Sequence, residues 1–341
     1  MSEVSLAVKY RPTTFDDVSE QEEIKIILTQ QLKSNSVKHG YLFCGPAGCG
    51  KTTAARIFAN EINKGKGSPI ELDAASNNSV DDIREMIEQA QKRSLDSDYK
   101  IFIIDECHMI TTQGWNAFLK TLEEPPARTI FIMATTDPQK IPATILSRVQ
   151  RYNFQKISQQ SIVSRLHYIL KEEDVHTYDE EAIEYIAKLS EGGMRDAITL
   201  MDKCLAYSTE LTLENVVSAL GVVDYDNMFA LTDIITDNKP QEMIASIEEL
   251  YNSGKDIKQF VKQYVQFLLD INKYFIGCNW HYINIPKLES YEKWLKENSN
   301  EYYVNKIKEL LETMLELDFS IKYSSTPKYD IEAKLLTRML T

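Results

Sequence analysis

The sequence predicts an α/β domain built on a parallel sheet with helices on both faces, followed by a wholly helical region. Three observations carry this expectation. Residues 45–52 read Gly-Pro-Ala-Gly-Cys-Gly-Lys-Thr. They fit the phosphate-cradling pattern G-x-x-x-x-G-K-[ST] and stand between an apolar run, Tyr41–Cys44, and a helical pattern, Thr52–Ile62, the context that pattern requires. Residues 101–106, Ile-Phe-Ile-Ile-Asp-Glu, read as a buried strand ending in two acids. Short apolar runs alternate with helical patterns as far as residue 156 and then give way to helical patterns alone.

Taken in order, the expected strands are Gly40–Cys44, Ile70–Asp73, Ile101–Asp105, Ile130–Thr135 and Arg151–Phe154. Between Lys51 and Asp105 there is room for a complete strand and a helix, Ile70–Asp73 and Val80–Lys92. The strand carrying Asp105 and Glu106 therefore need not be the neighbour of the phosphate-loop strand. That arrangement suits P-loop ATPases with a catalytic glutamate better than simple nucleotide kinases. Residues 157–222 read as three or four helices with a break at Glu191-Gly192-Gly193. Residues 223–341 are also helical, with apolar residues at helical spacing in Ile244–Tyr251, Ile257–Phe275 and Tyr303–Phe319. The frequent tyrosines of this region fit amphipathic helix packing. The expected domains are thus 1–156, 157–222 and 223–341, with no internal repeat, low-complexity tract or long linker.

A chain of 341 residues fits two or three domains, and 43% hydrophobic with 26% charged residues is ordinary for a globular protein. Net charge of −13 argues against a protein that coats nucleic acid, while leaving room for a local DNA-binding surface. No apolar stretch reaches the ~20 residues that span a bilayer. The start, Met1-Ser2-Glu3-Val4-Ser5, has no basic region followed by an apolar run, so cytoplasm is the expected location and no membrane is expected. Five cysteines, Cys44, Cys49, Cys107, Cys204 and Cys278, are scattered without disulfide or zinc spacing and read as reduced, packed thiols.

The chemistry sits in the two motifs. Gly45, Pro46, Ala47, Gly48, Cys49 and Gly50 form a loop whose backbone N–H groups can converge on phosphate oxygens, aided by the positive end of the following helix. Lys51 would reach the β- and γ-phosphates, Thr52 and Asp105 would hold Mg²⁺ with Thr53 beside them, and Glu106 would orient and polarise the attacking water. Acids at the carboxyl end of a parallel strand face the ligand crevice.

Further stretches resemble a known family. Leu119-Lys120-Thr121-Leu122-Glu123-Glu124-Pro125-Pro126 and Ala134-Thr135-Thr136-Asp137-Pro138-Gln139-Lys140 are similar to the AAA+ ATPase subunits of replication clamp loaders, nearest to the bacterial DNA polymerase III gamma/tau family. Lys9-Tyr10-Arg11-Pro12, Phe15-Asp16-Asp17-Val18, Asp105-Glu106-Cys107-His108 and Gly193-Met194-Arg195-Asp196-Ala197 support it. The similarity is dense over the first ~220 residues, with a helical remainder of compatible length. The resemblance implies an AAA+ module, a helical lid and a helical collar that oligomerises. It implies that Arg11, Pro12 and Val18 border the adenine. Thr136 would be a sensor of the γ-phosphate and water, and Arg195 a second sensor reaching the phosphates from the lid. Arg148, in Ser147-Arg148-Val149, would be an arginine finger acting on ATP held by the adjacent subunit. Such a finger contributes ~10³ or more in rate.

The chain departs from the family pattern in three places. The four-cysteine zinc module is missing, because Asn63–Ser68 runs almost directly into Ile70–Asp73, so no zinc is expected. The family's Ser-Arg-Cys is Ser-Arg-Val. Ala75-Ser76-Asn77-Asn78-Ser79 carries neutral residues where relatives place basic ones near DNA, which implies weaker salt dependence of DNA binding. The lost module suggests a divergent lineage, of viral or mobile-element type.

The expected activity is ATP hydrolysis coupled to opening a ring-shaped sliding clamp and loading it onto primed DNA. Expected cofactors are ATP and Mg²⁺. Expected partners are the sliding clamp, a primer-template junction and other clamp-loader subunits in a pentameric ring. Two alternatives are a structural subunit that binds ATP without turnover and another AAA+ remodeller such as a branch-migration helicase. The end near Thr341, without a polymerase- or helicase-binding tail, argues against tau-type coupling, and clamp contacts are expected near Gln91–Tyr99.

Overall fold

In the computed structural model, which describes residues 4–220 and 225–340, the first motif follows the strand next to one edge of a five-stranded parallel sheet. The strands are β1 (Gly40–Cys44), β2 (Ile70–Asp73), β3 (Lys100–Asp105), β4 (Thr129–Thr135) and β5 (Gln150–Asn153). Their order is β2-β3-β4-β1-β5, so β4 separates the loop strand from the acid strand. Register pairs Cys44 with Thr135 and Asp73 with Asp105, which brings the ligand-bearing carboxyl ends level.

β1, β3 and β4 read as continuous apolar runs because both sheet faces are covered. Alternate residues go to opposite sides. Leu42, Phe102, Ile104, Phe131 and Met133 share a core with Ile83, Met86, Trp115 and Phe118. Tyr41, Phe43, Ile101, Ile103 and Ile132 share another with Leu28, Ala54, Ala55 and Phe58.

The helices of this unit are α1 (Leu6–Lys9), α2 (Glu22–Lys33), α3 (Lys51–Ile62), α4 (Val80–Gln91), α5 (Thr112–Glu123), α6 (Ala143–Leu146), α7 (Gln159–Glu172), α8 (Glu180–Leu189) and α9 (Met194–Tyr207). Several starts are written in the sequence. Ser79 and Asp82 form a reciprocal capping box on α4, Thr111 caps α5 through the Gly114 N–H, and Ser158 caps α7 through that of Ser161.

The second unit holds α10 (Leu213–Leu220), α11 (Tyr225–Thr236), α12 (Pro240–Asn252), α13 (Ile257–Phe275), α14 (Glu289–Glu297), α15 (Glu301–Ile321) and α16 (Pro327–Leu340). Its core is Phe229, Tyr264, Phe267, Leu310, Met314 and their neighbours. Asp233 organises a polar cluster beside it, accepting from Trp294 Nε1 at 3.1 and 3.0 Å and from the Tyr303 hydroxyl at 2.6 Å.

The contact division of the chain falls between Leu211 and Thr212. α7–α9 therefore belong with the sheet, and α10 with the second unit. The boundary expected from the sequence, between residues 222 and 223, lies outside the described residues, as does the reading of Met1-Ser2-Glu3. No helix among the described residues is long and apolar enough to cross a membrane.

Candidate nucleotide-binding site

The loop between β1 and α3 is fixed at its root by the flanking strands. Gly45 N–H donates to the Thr135 carbonyl at 3.1 Å and Phe154 N–H to that of Cys44 at 2.7 Å. Gly50 precedes α3 at φ 98°, in a region closed to most side chains. Gly48 lies at φ 69°, and a Cβ there would stand 2.8 Å from the Gly193 Cα. Beside that contact the Met194 N–H donates to the Gly48 carbonyl at 3.0 Å. The phosphate loop and the start of α9 thus touch backbone to backbone. Lys51 is only 6% exposed. Its Nζ donates to the carbonyls of Gly45 at 2.8 Å and Pro46 at 2.7 Å, which holds the ammonium inside the loop.

Thr52, one residue on, donates its hydroxyl to Asp105 Oδ2 at 2.8 Å, so the two residues expected at a metal converge. A hydroxyl and a carboxylate oxygen fit Mg²⁺, which takes one or two protein oxygens and keeps waters and phosphate oxygens for its remaining positions. Among the described residues there is no cluster of three or more His, Cys, Asp or Glu that could hold a metal.

Glu106 follows in a left-handed conformation, φ 46°, a strain of about 1–2 kcal/mol for a non-glycine residue. It is the hinge between β3 and a single 3₁₀ turn, Cys107–Met109, closed by Met109 N–H to the Glu106 carbonyl at 2.9 Å. Its Oε2 accepts from the Thr136 hydroxyl at 2.9 Å and the Thr136 N–H at 3.3 Å, which joins the ends of β3 and β4.

A cleft of about 430 Å³ runs from these groups to the N-terminal segment. Ala47 to Thr53, Asp105 and Glu106 line one end, Arg195 and Asp196 project from α9, and Arg11, Pro12, Val18, Ile157 and Ile198 form a largely apolar wall. Size and lining suit a ligand with an anionic end and a flat apolar end. Gly45 and Pro46 lie behind Lys51 and meet its ammonium rather than the cleft. The N-terminal wall is pinned to α7. The Tyr10 hydroxyl donates to Glu173 Oε1 at 2.6 Å, Lys9 Nζ to the same oxygen at 2.5 Å, and Arg165 Nη2 to the Tyr10 carbonyl at 2.9 Å. Hydrogen bonds from Lys9 and Tyr10 hold the Glu173 carboxyl below its ordinary range. Burial pushes the thiols of Cys44 and Cys49 up, and that of Cys107 well up, so none behaves as a nucleophile beside the loop.

Arg148 is the one predicted site residue outside this constellation. It lines a separate open groove with His39, Leu122, Glu123 and Ser147. Its Nη2 pairs with Glu123 Oε1 at 2.5 Å and its Nη1 donates to the Thr144 carbonyl at 2.6 Å. Sequence reasoning missed Tyr10, Arg56, Arg165 and Met194 on the cleft wall, and His108 beside Glu106 at 3.2 Å. Arg165 carries no local signal within its helical pattern.

Three family models match in succession. They are those for the DNA polymerase III delta subunit over residues 70–158, the DNA polymerase III clamp loader subunit ATPase lid domain over 161–210, and domain III of DNA polymerase III subunits gamma and tau over 211–338. The chain is 38% identical over 296 residues to DNA polymerase III subunit tau of Bacillus subtilis, covering 80% of this chain and 52% of that one. It is 33% identical over 315 residues to subunit gamma/tau of Mycoplasma genitalium (86% and 52%) and 36% identical over 276 residues to subunit tau of Escherichia coli (74% and 43%). The chain thus spans about half the length of the curated relatives it matches. Among solved structures, the RuvB Holliday junction branch migration motor of Thermotoga maritima superposes with a TM-score of 0.53 at 21% identity, over 66% of this chain and 79% of that one. That likeness is one of fold alone, an AAA+ module with helical additions. Identity of a third or more, carried across the lid and domain III models, places the chain in the gamma/tau family of DNA polymerase III clamp-loader subunits.

Proposed function

We propose that this chain is an ATPase subunit that uses ATP binding and hydrolysis to open a ring-shaped sliding clamp and load it onto primed DNA. The observation that carries the proposal is the convergence in one cleft of a buried ammonium, a hydroxyl–carboxylate pair and a second carboxylate, under an arginine from the lid. Lys51 and the loop would hold the β- and γ-phosphates. Thr52 and Asp105 would hold Mg²⁺, which when bound neutralises charge on the phosphate oxygens. Glu106 would polarise a water for attack on the γ-phosphate, with Thr136 sensing that end of the nucleotide. Arg195 would report it to α9, whose first N–H already touches the loop at Gly48. Arg11, Pro12 and Val18 would border the adenine.

Arg148 would serve the nucleotide of a neighbouring subunit. Its separation from the cleft supports this role, and its pairing with Glu123 holds the cation in a separate groove. On this reading residues 1–156 bind nucleotide, 157–222 act as the lid and 223–341 as the collar. Partners would be the clamp, a primer-template junction and other loader subunits in a pentameric ring in the cytoplasm. RuvB likeness does not favour branch migration, because at 21% identity it reports fold only.

The test is steady-state phosphate release by the chain with its loader partners, clamp and primed DNA. Wild-type turnover should be stimulated by clamp and DNA. Arg148→Ala should bind ATP normally and lose about 10³-fold of the stimulated rate. An unchanged stimulated rate would remove Arg148 from the site, and no turnover under any condition would favour an ATP-binding subunit without catalysis.

A further inference from the structure

The N-terminal strap that walls the cleft is fastened to α7 and α9. At its start the Leu6 N–H donates to Asp202 Oδ2 on α9 at 3.1 Å, and the Leu6 side chain is buried. Four residues on, the Tyr10 carbonyl accepts from Arg165 Nη2 on α7 at 2.9 Å. Glu173, the residue that closes α7, takes the Tyr10 hydroxyl at 2.6 Å and the Lys9 ammonium at 2.5 Å on one oxygen, Oε1. The Tyr10 ring stands edge-on to that of Tyr168, which lies 4.9 Å from the Arg165 guanidinium. Contact with the sheet comes further along. Phe15 packs against the core that holds Tyr41 and Phe58, and the Val18 carbonyl accepts from Lys25 Nζ of α2 at 3.0 Å.

Arg11 and Pro12 come between these two anchorages and line the cleft with Ala7 and Tyr10, whereas Lys9 and Glu173 stand outside the lining. The other end of the cleft is built from the sheet, the loop and α3, with Lys51 held by the loop's own carbonyls. One wall is thus set by α7 and α9, and a shift of that wall would resize the apolar end without moving Lys51, Thr52 or Asp105. Lys9 is 43% exposed, so its ion pair contributes little. The contact that places the wall is the Tyr10 hydroxyl on Glu173. We propose that Glu173 is a positioning residue for the base. By holding Tyr10 it fixes Arg11 and Pro12 where a flat apolar group meets them, and so sets the preference of the site for a nucleoside triphosphate over bare triphosphate. This inference rests on the reading of Arg11, Pro12 and Val18 as the adenine border.

The test is isothermal titration calorimetry of the chain with Mg-ATP and, separately, with Mg-tripolyphosphate, alongside melting temperature. Wild type should bind Mg-ATP the more tightly. Glu173→Ala should weaken Mg-ATP about 10-fold, the cost of ordering on each binding event one or two side chains that the tether had held. Its affinity for Mg-tripolyphosphate should stay within about two-fold. Glu173→Gln keeps an oxygen that accepts from Tyr10 and should hold Mg-ATP affinity within about three-fold of wild type. If wild type itself shows no preference for Mg-ATP, the adenine border is misassigned whatever Glu173 does. If wild type prefers Mg-ATP and Glu173→Ala keeps that preference, the positioning proposal is overturned. Equal losses for both ligands, or equal impairment of the Ala and Gln variants, overturn it too. Should Glu173→Ala not fold, Tyr10→Phe removes the same bond from the other side, and an unchanged ratio of the two affinities overturns the proposal there.

Discussion

Replacing Gly48 by alanine probes the backbone contact between the phosphate loop and α9. At φ 69° any L-residue costs about 1–2 kcal/mol more than glycine. The new Cβ would stand 2.8 Å from the Gly193 Cα and 3.2 Å from its carbonyl carbon. Both are backbone atoms, so no side-chain rotation relieves the clash, and overpacking of this kind costs about 1–3 kcal/mol. Separating the segments also weakens the Met194 N–H bond to the Gly48 carbonyl, worth about 1 kcal/mol net. The lower ends of these ranges total about 3 kcal/mol. Gly65 supplies the control, with φ 75° and its nearest atom 4.0 Å from an added Cβ, so Gly65→Ala carries the conformational cost alone. For a unit of this size about 3 °C accompanies each kcal/mol. Differential scanning calorimetry should therefore show Tm falling by about 3 °C for Gly65→Ala and by about 10 °C for Gly48→Ala. The transition is identified as the one that Mg²⁺ and ATP raise in wild type. Equal Tm values for the two variants would refute the argument that the glycine–glycine approach ties the lid to the loop.

Lys51→Ala removes the ammonium held inside the loop and should weaken ATP binding about 10- to 100-fold, as for a lost charge-assisted hydrogen bond; equilibrium titration with a fluorescent analogue measures it. In the second unit, Asp233→Ala strips the acceptor from Trp294 Nε1 and the Tyr303 hydroxyl and should destabilise that unit by about 2–4 kcal/mol in urea unfolding, with Asp233→Asn milder because an amide oxygen still accepts. Thiol labelling at pH 8 should find Cys278, which is half-buried, fast, and Cys44, Cys49, Cys107 and Cys204 slow until the chain unfolds. Burial pushes Cys204 up to about 11, so its thiolate becomes appreciable only as pH rises toward that value; fast reaction of two or more thiols at pH 8 would contradict the packing of the loop.

Local rules account for much of what the chain reveals unaided. Gly45–Thr52 announces itself because phosphate recognition by backbone demands glycine at fixed offsets, ahead of a helix. β1, β3 and β4 are legible because strands covered on both faces must be apolar throughout, and α13 stands at Ile257–Phe275 as its apolar spacing predicts. The separation of β1 from β3 was readable from the length between Lys51 and Asp105, and β4 fills that gap. Edges were less legible. β5 runs Gln150–Asn153 rather than Arg151–Phe154, although the Phe154 N–H still donates to the Cys44 carbonyl.

What the sequence alone determined, then, is the identity of the groups proposed to meet a phosphate and a metal, since their types and spacing follow from the chemistry. Tertiary structure decided which of them share a space. It set Thr52 against Asp105, Thr136 and His108 on Glu106, and Tyr10 and Arg165 on the cleft wall, and it held Arg148 apart on Glu123. Those pairings join residues two to about 155 apart in the chain. They depend on strand order and on how α7 and α9 pack, which no local periodicity encodes.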